Sequence, residues 1–143
     1  MAKRKRGEQR PFRLEALAPY ATAALYARLL PGQRVWRYTV TVPREQIKPT
    51  RKQKATSRDV NQLRRMFVRH FGGVNLPPPS PGYGLRDPNH PEREPEGNYN
   101  AYFVVLASPG PAANQYFRAL RNELQAALDE GVILVERQTV WIP

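Results

Sequence analysis

A chain of 143 residues, 41% of them hydrophobic, is long enough to bury one domain core. It has no cysteine, which excludes disulfides, thiolate metal sites and cysteine nucleophiles, and its two histidines argue against a site built mainly from imidazole. A formal net charge of +11 points to a polyanionic partner.

The charge is unevenly spread. Residues 1–72 hold 18 Lys/Arg and 4 Asp/Glu, a net of +14, whereas residues 73–143 hold 5 and 8, a net of −3. No uncharged apolar run reaches the ~18 residues of a membrane span. The Ala- and Leu-rich stretch 12–30 is broken by Arg13, Glu15, Pro19 and Arg28, so it is not read as a secretory signal.

In chain order, residues 1–11 form a basic arm with Lys3, Arg4, Lys5, Arg6 and Arg10 and almost no apolar side chains, and it is expected to be disordered. Residues 12–32 read as an apolar arm and a short extra helix opened by Pro19, with Tyr20, Ala23, Ala24, Ala27 and Leu30 on one side and Pro31-Gly32 as its stop. The first strand runs from Arg34 to Val42. Trp36, Tyr38, Val40 and Val42 alternate with Arg37, Thr39 and Thr41, and Pro43 closes it. A basic connection follows, with Arg44, Lys48, Arg51, Lys52 and Lys54.

Thr56-x-x-Asp59 has the pattern of a capping box, and Val60, Leu63, Met66, Phe67 and Phe71 repeat at helical spacing behind it. Arg58, Gln62, Arg65 and Arg69 fall on the opposite face, and Gly72-Gly73 stops the helix. Seven prolines between 77 and 95 predict a long irregular loop over 77–98, with a short edge strand around 74–76 and 82–85. Tyr99–Ala107 is the most strand-like run. A helix over about 112–130 buries Ala113, Phe117, Leu120, Leu124, Ala127 and Leu128, and a last strand fills 132–142.

The order strand, helix, strand, strand, helix, strand predicts an α+β, ferredoxin-like βαββαβ sandwich over 33–143. It has a four-stranded antiparallel sheet with two helices on one face. Strands one and three are expected side by side at the centre and running parallel, which would bring both helix N-termini to one end of the sheet around the 44–54 connection. The other sheet face would be covered by the N-terminal helix or by a second copy in a homodimer.

From this follows a non-enzymatic protein that binds the phosphate backbone of a nucleic acid, RNA or a ribonucleoprotein context favoured over DNA. Its candidate contacts are Lys3, Arg4, Lys5, Arg6, Arg10, Arg44, Lys48, Arg51, Lys52, Lys54, Arg58 and Arg65. No catalytic residue, metal ligand or cofactor is assigned, no membrane is expected as a partner, and the expected compartment is the cytoplasm, or the nucleus or an organelle in a eukaryote. RNA-recognition domains share the element order, but Asn98–Val105 lacks the Arg/Lys-Gly start of their base-stacking motif, so Tyr102 and Phe103 are assigned to packing. His70 is read as a residue at the core boundary. His90, with Asp87, Glu92, Glu94 and Glu96, is read as part of a solvated loop rather than a cation site. Two alternatives stay open: an enzyme or small-ligand protein on a dimeric ferredoxin-like scaffold with residues 83–98 as a lid, and an adaptor docking through residues 12–30.

Overall fold

A computed structural model describes residues 11–46, 55–84, 88–93, 96–128 and 133–143, with the backbone alone at 44–46, 81–84 and 96–98. The architecture is α+β. The strands are β1 (Arg34–Gln46), β2 (Ser80–Gly84), β3 (Glu96–Ala107) and β4 (Leu134–Trp141), and the helices are α1 (Ser57–Phe71) and α2 (Pro111–Leu128). The sheet runs in the order β2-β3-β1-β4, three long strands with the short β2 at one edge. Asn75 extends that edge by exchanging both backbone bonds with Val104, 2.9 and 2.8 Å.

Every pairing in the sheet is antiparallel. The central strands β1 and β3 are therefore neighbours as expected, but they do not run parallel. Trp36, near the start of β1, pairs with Ala107 at the end of β3. The two helices consequently begin at opposite ends of the sheet, and their N-termini do not converge on the 44–54 connection.

Alternation along the strands sets the core. Tyr38, Val40 and Val42 of β1 and Ala101, Phe103, Val105 and Ala107 of β3 are buried beneath the helices. Cross-strand partners share a face, so Thr39, Thr41, Tyr102, Val104 and Leu106 lie on the other side, half-buried. Phe67 and Phe71 of α1 and Phe117 of α2 meet in one aromatic cluster, and Tyr38 stacks on Phe117 with ring centroids 3.8 Å apart. Phe103 packs against Phe67 at 5.5 Å. Phe103, assigned to packing, is fully buried, whereas Tyr102 lies half-buried on the open face with its hydroxyl 2.7 Å from Ser80 Oγ.

The ends of α1 follow the sequence closely. Thr56 Oγ1 accepts the Asp59 N–H while an Asp59 carboxylate oxygen accepts the Thr56 N–H, at 3.2 and 2.9 Å. Gly72 ends α1 at φ +84°, and its N–H donates to the Val68 carbonyl. An added Cβ there would lie 3.1 Å from the Tyr26 ring, a second reason for glycine.

Within the stretch 77–98, read as an irregular loop with an edge strand near 82–85, Ser80–Gly84 pairs as β2 and β3 already begins at Glu96. Two further segments differ from expectation. First, β1 does not stop at Pro43 but continues to Gln46 through a register shift between Pro43 and Glu45. Pairing with β4 ends at Thr41, so on that side the missing Pro43 N–H costs no ladder bond, and the Pro43 carbonyl accepts the Ala55 N–H at 2.9 Å. Second, the helix expected from Pro19 to Leu30 does not form. Short 3-10 helices occupy Leu14–Tyr20 and Ala23–Leu25 instead, and Pro19 lies in the first of them. Leu17 and Leu25 are fully buried, and beyond them burial alternates, with Ala27 inside and Tyr26 and Arg28 outside. Tertiary burial of the two leucines outweighs the high helix propensity of the alanines between them.

The arm also packs elsewhere than expected. The Arg13 N–H donates to Glu123 of α2, and Phe12 and Leu14 lie against Gln62, Met66 and His70 of α1. This arm covers the helices. Its trailing residues Tyr26–Leu29 reach the open sheet face beside Val104 and Leu106.

Candidate nucleic-acid interface

Of the twelve cations singled out in the sequence, Arg58 and Arg65 are described with their side chains. Arg44 is described by its backbone alone, and Lys3, Arg4, Lys5, Arg6, Arg10, Lys48, Arg51, Lys52 and Lys54 lie outside the described residues. Arg58 and Arg65 are both exposed on α1, two turns apart. Arg64 and Arg69 are exposed on the same helix and were not among the candidates. From Arg58 to Arg69 the helix advances about 16 Å, a length over which a nucleic-acid duplex carries on the order of ten phosphates.

This basic face has little internal neutralisation. The single acidic residue of α1, Asp59, is 8% exposed and engaged in the cap. Arg65 and Arg69 border a cavity of about 440 Å³ between α1 and the arm, together with Phe12, Glu15, Met66 and His70. His70 sits at the core boundary as expected, its Nδ1 2.7 Å from the Tyr116 hydroxyl. Burial, and then the positive charge of Arg69, holds its pKa below the ordinary histidine value. Burial alone pushes the Tyr116 hydroxyl upward, so this pair is neutral at pH 7.

A second basic region has no counterpart among the candidates. Arg118 and Arg121 of α2 and Arg137 of β4 border one groove of about 430 Å³ with Asn114 and Tyr38. Three of the five arginines of the acidic second half thus meet in one place. The arginines at 118 and 121 are one helical turn apart. Arg137 shares a sheet face with Val135, so it stands as a charge in the core-facing register of an edge strand. Apolar residues fall in both phases of this strand, Leu134 and Val140 in one and Ile133 and Val135 in the other, so the sequence alone does not show that mismatch.

The His90 loop shows an exposed His90–Glu92 pair at 3.2 Å. Asp87 and Glu94 lie outside the described residues, as does the Glu96 side chain, and among the described residues no three His, Asp or Glu side chains group to hold a metal ion. No helix among the described residues is long and apolar enough to cross a membrane. No protein-family model, curated protein or solved structure matches the chain.

Proposed function

We propose that the protein binds the phosphate backbone of a nucleic acid, RNA or a ribonucleoprotein in preference to DNA, without catalysing a reaction on it. The observation that carries this reading is the exposure of four arginines, Arg58, Arg64, Arg65 and Arg69, on one helix whose only acid is turned inward to cap it. The connection leading into that helix carries Lys48, Arg51, Lys52 and Lys54, and the chain on either side of it is pinned by the Ala55-to-Pro43 bond. Guanidinium groups along a helix suit phosphate oxygens through paired donors, and contacts of this kind hold a backbone without reading its bases.

The element order and the strand order β2-β3-β1-β4 support placing the sheet and its two helices in the ferredoxin-like class. In this reading the open sheet face is not the base-stacking platform, since its β3 residues are Tyr102, Val104 and Leu106.

The test is anisotropy binding of the full chain to labelled single-stranded RNA, duplex RNA and duplex DNA at several salt concentrations. Replacing Arg58, Arg64, Arg65 and Arg69 together by Gln is expected to lower the salt slope by about 0.7 to 0.9 for each phosphate that is no longer neutralised. An unchanged slope and affinity would overturn the reading. A preference for duplex DNA would overturn the choice of RNA alone.

A further inference from the structure

The groove between α2 and β4 is lined by donors. Asn114 sits at its centre, and its Oδ1 accepts from the Tyr38 hydroxyl at 2.7 Å and from Arg137 Nη1 at 3.0 Å. A guanidinium has no acceptor, so the Asn114 atom that faces it must be the oxygen. The side-chain amide is thereby fixed with its Nδ2 directed away from both partners, and among the described residues no acceptor meets that nitrogen.

Burial raises the Tyr38 pKa, with the hydrogen bond and charge of Arg137 acting against the rise. The hydroxyl stays protonated at neutral pH and keeps the amide oriented. Arg137 is held from its other side by Trp36, whose ring centroid lies 4.0 Å from the guanidinium carbon. Arg118 and Arg121 stand exposed above these two groups, and among the described residues no carboxylate lines the groove.

We infer that this groove is an oxyanion seat for a phosphate group, with Asn114 Nδ2 and Arg137 as its preoriented floor and Arg118 and Arg121 as its mobile upper donors. Three guanidiniums and an amide offer more donors than a carboxylate has lone pairs to receive, whereas a phosphate monoester presents three terminal oxygens and a diester two terminal and two ester oxygens. The groove, of about 430 Å³, has room for a phosphate carried on a larger molecule. That phosphate is either a free phosphate monoester or one diester of a nucleic-acid strand. The inference goes beyond backbone binding by α1 and does not require it.

The test is a titration of the isotope-labelled full chain with inorganic phosphate and, separately, with an eight-residue oligouridylate lacking terminal phosphates. Sodium chloride at matched ionic strength is the control, and the Asn114 amide and Arg137 Nε–H resonances are followed. Saturable shifts of both are expected.

Asn114→Asp keeps an oxygen for Tyr38 and Arg137 but puts a negative charge where Nδ2 was, and it is expected to weaken binding at least about tenfold. The new carboxylate falls in the first turn of α2, where the helix dipole favours it, so the fold should be retained. Arg118→Gln with Arg121→Gln, both exposed, should weaken binding similarly and carries the test if Asn114→Asp disturbs folding. Shifts that fail to saturate, that chloride reproduces, or that survive these substitutions overturn the seat. Saturation by phosphate alone assigns a free monoester, and tighter saturation by the oligomer assigns a diester. Loss of nucleic-acid binding on changing α1, with the phosphate shifts intact, would separate this site from the proposed function.

Discussion

The two basic regions are built in opposite ways. Helix α1 takes its four exposed arginines from twelve consecutive residues, three of them on one face, and local rules position them: a cap at Thr56, a buried stripe of Leu63, Phe67 and Phe71, and a stop at Gly72. The α2–β4 groove takes its groups from three elements, joined by hydrogen bonds that span 76 and 23 residues in sequence. A helix face of this kind is a line of charges with little to restrain them. The groove holds two of its donors, Asn114 and Arg137, in set orientations. The first arrangement suits a long, repetitive polyanion, and the second suits a single anionic group.

This contrast can be broken most severely at the core that supports both regions. Phe117 stacks on Tyr38 under the groove and packs against Phe71 of α1. Phe117→Ala is expected to cost about 3–5 kcal/mol in urea denaturation and to impair both regions together. A loss below about 1 kcal/mol would mean that the stack does not couple them.

A smaller effect should be confined to α1. Thr56→Ala removes one half of the capping box and is expected to cost about 1 kcal/mol, with fraying at the Arg58 end. Amide exchange should quicken in the first turn of α1 while α2 stays protected. Equal quickening in both helices would show that the two regions share one stability. Gly72→Ala acts at the other end of the same helix. The left-handed backbone and the Tyr26 ring both oppose it, and a loss of about 1 kcal/mol is expected by thermal denaturation.

The smallest expected effect is a pH dependence. His70 resists protonation in the folded chain, while in the unfolded chain it takes up a proton near its ordinary pKa of about 6.5. Below that pH the unfolded state binds more protons, so stability falls from about pH 6.5 downward toward the depressed folded value and is fully present above it. His70→Gln lacks this component, and the gap in melting temperature between wild type and variant should narrow from pH 7.5 to pH 5. A constant gap would contradict the assignment.

Much of the fold was legible because its signals are local. Alternation marked the strands, helical spacing marked both buried stripes, and Thr56-x-x-Asp59 and Gly72 marked the ends of α1, all through interactions within four residues or so. The same local logic failed where packing over long separations decided. Tyr20, Ala23, Ala24, Ala27 and Leu30 have helical spacing, yet this segment has to bury Leu17 and Leu25 and then turn toward the open sheet face. Pro43 reads as a stop, yet β1 passes through it because β4 has already ended on that side. Tyr116 escaped the expected stripe of α2, although it is fully buried against Phe71 and His70.

The candidate sites divide along the same line. Charge asymmetry along the chain, and the basic face of a capped helix, are properties of neighbouring residues, and the sequence by itself determined them. The placement of the arm over the helices, and the meeting of Tyr38, Asn114, Arg118, Arg121 and Arg137, were decided only by tertiary structure. Sheet register and helix docking bring such residues together, and no local pattern encodes the meeting of positions 38, 114 and 137.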